Sequence, residues 1–143
     1  MANSDNPKKG SDFEMAALRF FESQGISLRR GFVVPIGVSD STKDHKFDLG
    51  SSKPAMLVEC KSHTWTGGGN SPSAKLSVWN EAMFYFLAAP TSFRKVLFVL
   101  ESLRLGEALA DHYVRRFRHL IPTGVEIWQY SEQSRTGMRV FPK

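Results

Sequence analysis

Cysteine is nearly absent: Cys60 is the single one in the chain. That excludes an internal disulfide framework and a multi-cysteine zinc site, and it points to a reducing compartment, with the cytoplasm as the expected location. The four histidines, His45, His63, His112 and His119, show no zinc-ligand spacing. Long apolar runs are missing too. The start, "MANSDNPKKGSD", has no signal-peptide centre, and no stretch approaches the roughly 18 to 20 apolar residues of a membrane span. Neither export nor membrane insertion is expected. Acidic residues are in deficit, 14 against 19 Lys and Arg, giving a net charge of +5 and a pI near 9.6. Such a field draws polyanions, so nucleic acid is the expected partner class. The glycine-rich "TGGGN" lacks the GK[ST] ending of a phosphate-binding loop, which leaves a flexible flap as its reading.

What remains fits one soluble globular domain: 143 residues, 41% hydrophobic and 23% charged. Residues 1–10 are polar, with Pro7 and Gly10, and read as a disordered tail ahead of a domain over 11–143. "SDFE" has the form of a capping box with Ser11 as N-cap, and Phe13, Ala16, Ala17, Phe20 and Phe21 recur at helical spacing until Gly25. "ISLRRGFVVPIG" reads as a strand. A hairpin follows, with arms "HKFDLG" and "AMLVECKS" joined through "SSKP". After the loop "HTWTGGGNSPS", a helix with Ser71 as N-cap and Pro72 at its first position runs to Pro90. "FRKVLFVLES" is a buried strand, "LGEALADHYVRRFRHL" a helix, and "GVEIWQYS" and "GMRVF" are closing strands.

The hairpin carries the chemistry. In a strand, alternate residues share a face, so Glu59 and Lys61 project with Leu57, while Met56, Val58 and Cys60 point the other way. A turn centred between Lys53 and Pro54 sets Asp48 opposite Glu59, with Cβ atoms about 5 Å apart. Two carboxylates so close repel unless a proton or cation lies between them, and a hard divalent ion is the simplest remedy. Metal-assisted phosphodiester hydrolysis uses this inventory: oxygen ligands for Mg²⁺ and a cation to position water or steady developing charge.

"FD" followed ten residues later by "VECK" resembles the PD-(D/E)XK motif of restriction-endonuclease-like nucleases. The order of elements over residues 11–101 is similar to that family's α-β-β-β-α-β core, a mixed sheet flanked by helices in an α/β domain. The resemblance covers about two thirds of the chain, with Phe47 standing where the motif's name has proline. It implies a Mg²⁺-dependent endonuclease, with Mn²⁺ as substitute, hydrolysing DNA phosphodiesters through a metal-activated water. Asp48, Glu59 and the backbone carbonyl of Cys60 would hold the ion, Lys61 would assist the attacking water, and Glu14 would join through a water. On its helix Glu14 lies about 100° from Phe13, at the margin of the apolar face. The capping box is the competing role for it.

Lys75 shares a helix face with Val78, Trp79, Ala82 and Phe86, in a first turn where a cation opposes the macrodipole unless an anion sits there. It is a candidate for phosphate contact and catalysis, against a plain reading as a lysine whose stem covers apolar surface. His63 and Trp65, bordering the glycine-rich loop, and Arg115, Arg116 and Arg118, at a helix end, are further nucleic-acid-binding candidates. Because the chain is barely longer than the core, a homodimer or partner protein is expected. Two other classes compete: a catalytically silent nucleic-acid-binding module of the same fold, and a structural protein in which Asp48, Glu59 and Lys61 form an ion triad.

Overall fold

Phe13, Ala17, Phe20 and Phe21 form one buried stripe along the first helix, α1 (Ala2–Ser23). The computed structural model describes residues 2–66 and 72–143, the side chains of residues 2–6 excepted. Against expectation, α1 begins at Ala2, so residues 2–10 are helical and Ser11 lies inside the helix, not at its cap. Pro7 removes one hydrogen bond and Gly10 costs about 1 kcal/mol, which the helix tolerates. Residues 7–9 are exposed, so this extension is a polar projection ahead of the core. Ser11 accepts a hydrogen bond from Arg30 through its hydroxyl, at 3.0 Å.

The strands are β1 (Arg29–Ile36), β2 (Lys43–Ser52), β3 (Ala55–Lys61), β4 (Arg94–Leu100), β5 (Leu103–Arg104), β6 (Glu107–Ala108), β7 (Val125–Ser131) and β8 (Thr136–Phe141). Helices α2 (Ser73–Ala88) and α3 (Leu109–Phe117) complete the elements used below, with a short 3₁₀ turn over Arg118–Leu120. Six strands form a mixed sheet in the order β1-β2-β3-β4-β7-β8. β1, β2 and β3 run antiparallel, β3, β4 and β7 parallel, and β8 returns antiparallel. The chain is a single α/β domain.

Alternation in β4 explains the layering. Val96 and Phe98 pack with Phe13, Phe20, Met56 and Val58 under α1, while Leu97 and Val99 pack with Trp79, Phe86 and Tyr113 under α2 and α3. Each such fully buried side chain contributes roughly 1.5–3 kcal/mol. β3 and β4 are parallel because α2 carries the chain back across the sheet between them.

Two further expectations shift. Pro72, not Ser71, stands at the N-cap of α2; Ser71 and the glycine-rich 67–71 lie outside the described residues. The helix expected over 105–120 shortens to α3, because Leu105 and Gly106 both adopt left-handed backbone, φ 51° and 81°, and close a β5–β6 hairpin. Leucine there costs about 1–2 kcal/mol. No helix is long and apolar enough to cross a membrane among the described residues.

Candidate active site

β3 presents its residues as alternation requires. Leu57 joins the core under α2, whereas Met56, Val58 and Cys60 face α1, so Glu59 and Lys61 project on the α2 side. The hairpin register holds through Ser52↔Ala55 to Leu49↔Val58, which puts Asp48 next in line opposite Glu59.

At Asp48 the ladder gives way on both flanks. Between β1 and β2 the pairing steps from Arg30↔Leu49 to Phe32↔Phe47, passing over Gly31 and Asp48, and Gly31 has φ 65°. Phe47 packs in the α2-side core and Leu49 in the α1-side core, although strict alternation would give them one face. β2 therefore bends between them. The main-chain groups released by the bend are taken up by carboxylates. The Asp48 N–H donates to Glu59 Oε2 at 3.0 Å, and the Cys60 N–H donates to Asp48 Oδ2 at 2.8 Å.

Glu59 is 5% exposed. Burial first, and then the Asp48 charge, push its carboxyl up to about 7, against the opposing pull of the Asp48 N–H and the Lys61 ammonium. A carboxyl shifted to neutrality beside a second one marks a place for a proton or a cation. Glu14 approaches from α1. Its carboxyl is raised by burial above all and further by Asp48, within hydrogen-bonding reach, while Arg30 at 3.0 Å pulls it down. Burial and the surrounding carboxylates hold the Cys60 thiol well above its usual range, so it stays a protonated core group.

Among the described residues no three His, Cys, Asp or Glu side chains converge to hold an ion by themselves. Glu14, Asp48 and Glu59 stand in series. Adjacent carboxylate oxygens fit a hard cation such as Mg²⁺ or Mn²⁺, with backbone and water oxygens needed to complete the shell. Asp48 and Glu59 would hold it, the Cys60 main chain lying against Asp48.

The remaining candidates divide. Lys75 Nζ donates to the Thr64 carbonyl at 3.3 Å, so it reaches the loop that follows Lys61. His63 Nδ1 accepts from Trp79 Nε1 at 3.1 Å. An indole N–H can only donate, so the proton of neutral His63 is on Nε2. Burial, with Lys61 and Lys75, lowers its pKa. Trp65 is half-buried and anchors its loop: its Nε1 donates to the carbonyls of Ser102 and Glu107 at 3.1 and 3.2 Å. Arg115 is tied to Glu107 at 3.0 Å and Arg116 lies 5.6 Å from the Phe117 ring. Arg118 stacks on Phe141 of β8 at 5.3 Å. β8 lies roughly 19 Å across the sheet from β2. The structure does not bring Arg118 to the carboxylate pair.

Sequence reasoning missed His45. Its ring stacks on Tyr85 at 4.0 Å, and its Nε2, buried and without a hydrogen-bond partner, stands 4.0 Å from Glu59 Oε1. Burial lowers its pKa. The contact joins β2 to α2, and its one local signal is Glu81 and Tyr85 at i, i+4 on α2, Glu81 acting on both Tyr85 and His45.

No protein-family model, curated protein or solved structure matches this chain.

Proposed function

We propose that the chain is a Mg²⁺-dependent endonuclease of the restriction-endonuclease-like kind, acting on DNA as a homodimer or with a partner protein. The observation that carries this reading is the Asp48–Glu59 pair, in which each carboxylate takes a main-chain N–H at the point where β2 bends. The element order α1-β1-β2-β3-α2-β4 supports it.

A bound Mg²⁺ supplies Lewis-acid polarisation of the phosphodiester and of water. Main-chain N–H groups of the facing strand engage Glu59 Oε2 and Asp48 Oδ2, which leaves Glu59 Oε1 and Asp48 Oδ1 as the oxygens that would hold the ion. Lys61, on the same face as Glu59, stabilises charge developing on the phosphate and orients the attacking water. Lys75 and His63, at the entrance to α2, steady the phosphate backbone. Glu14, held by Arg30, orients water from the α1 side.

One observation favours a second reading. Glu14 is paired with Arg30, and Asp48 and Glu59 accept N–H donors, so a protonated Glu59 leaves the cluster compensated without an ion. A catalytically silent module would then bind nucleic acid through its basic surface. Calorimetry with Mg²⁺ and Mn²⁺ on wild type and the Asp48→Ala, Glu59→Ala double variant, beside cleavage of plasmid and oligonucleotide DNA, separates the two. Metal binding and nicking lost together in the variant support the nuclease. Wild type that binds DNA but neither metal nor cleaves it leaves the module.

A further inference from the structure

The tip of the β5–β6 hairpin is built against local preference. Leu105 is 100% exposed and carries φ 51°, where a Cβ crowds the following carbonyl oxygen. Glycine or asparagine would relieve both problems. Leu103, two positions before it with Arg104 between, is 62% exposed. An unburied leucine in a conformation that disfavours it contributes nothing to folding.

The hairpin is also held firmly. The Trp65 N–H donates to Ser102 Oγ at 3.0 Å, its indole bonds both ends of the hairpin, and the Arg104 guanidinium lies 4.0 Å over its ring. The His112 ring packs on Trp65 at 4.8 Å. Trp65 belongs to the loop leaving Lys61, and β4, from whose end the hairpin rises, pairs Val99 with Lys61. The tip and the Asp48–Glu59 pair are thus joined through Trp65 and the β3–β4 pairing at the carboxyl end of the parallel strands, where α/β sheets place their ligands.

We propose that Leu105 is a wedge that enters a base step of the nucleic acid held at Asp48 and Glu59 and unstacks it. Apolar side chains such as leucine serve this purpose where proteins kink a duplex. Unstacking is easiest where the stack is already broken, so the substrate is a duplex interrupted by a nick, mismatch or branch. Two leucines on so narrow a tip fall far short of the roughly 800 Å² per partner of a stable protein interface. The hairpin's own carboxylate, Glu107, is neutralised by Arg115 at 3.0 Å, so the tip approaches phosphates without repulsion. The proposal rests on the nucleic-acid reading of the site.

The test places 2-aminopurine beside a nick or branch and measures fluorescence and affinity in EDTA, where no metal-dependent cleavage interferes. Wild type and Leu105→Met should raise the fluorescence severalfold. Leu105→Gly and Leu105→Asn should not, while melting no lower than wild type. An equal rise with Leu105→Gly, binding without any rise in wild type, or no binding overturns the wedge. So does a Leu105→Gly protein that loses self-association in sedimentation while unstacking DNA normally, since the tip would then be a protein contact. Unstacking without Mg²⁺-dependent cleavage defeats the nuclease reading and keeps the wedge; cleavage without unstacking does the reverse.

Discussion

Glu59 Oε2 accepts the main-chain N–H of Asp48 at 3.0 Å, so a buried acid of one hairpin arm caps the backbone of the other where their ladder ends. The same atoms tie strand geometry to the candidate chemistry. Glu59→Gln preserves an acceptor for that N–H and removes the charge. Calorimetry should therefore show a folded protein whose Mg²⁺ affinity falls by roughly 10–100-fold. Unchanged affinity removes Glu59 from the metal site.

Lys61→Ala leaves both carboxylates in place. It should lower kcat by about 10²–10³-fold, with Mg²⁺ affinity retained, if the ammonium acts on the developing charge. Single-turnover cleavage measured beside metal titration distinguishes this from a loss of binding.

The pH dependence of stability has a definite sign. Glu59 titrates near 7 in the folded protein against an ordinary 4.5, so between those values the folded state holds more protons than the unfolded one. Its stabilising contribution is complete below about 4.5 and is lost as the pH rises through 7, an effect of about 3 kcal/mol. Denaturant titrations without metal should show that decline and its flattening in Glu59→Gln. Added Mg²⁺ should restore stability above pH 7 in wild type alone.

Trp65 should matter to structure before substrate. Trp65→Phe keeps a ring under Arg104 but removes the indole donor to the carbonyls of Glu107 and of Ser102, the latter keeping the Leu109 N–H, and should cost about 0.5–1.5 kcal/mol in urea denaturation. Trp65→Ala also removes the packing against His112 and should cost more. A loss of DNA affinity with no loss of stability would instead make Trp65 a direct nucleic-acid contact.

Trp79→Phe removes the indole that donates to His63 Nδ1. That bond favours neutral imidazole, so the His63 pKa, lowered by burial, Lys61 and Lys75, should rise in the variant when followed by NMR titration. No change would mean that the bond does not persist in solution.

The local patterns that proved legible share one property: their cause lies within a few residues. The short "SSKP" connection determined the β2–β3 register, and alternation along "AMLVECKS" determined that Glu59 and Lys61 share a face, because turn length and pleat are short-range constraints. The helical spacing of Phe13, Ala17 and Phe20 was equally plain, but the start of α1 was not, since Ser11 has a cap's chemistry and spends it on Arg30 of β1. The β5–β6 hairpin was hidden inside a helical pattern, because Leu105 adopts a conformation its own preference opposes.

Only the tertiary structure decided what surrounds the carboxylate pair. Arg30 on Glu14, His45 and Tyr85 beside Glu59, and Trp65 across the hairpin join elements distant in sequence, and apart from the Glu81–Tyr85 pair on α2 nothing in their spacing announces them. By itself the sequence determined that Asp48 and Glu59 would meet. The bend of β2 and the packing of α1 and α2 decided that the meeting would be buried, and burial is the largest cause that moves Glu59 to neutrality.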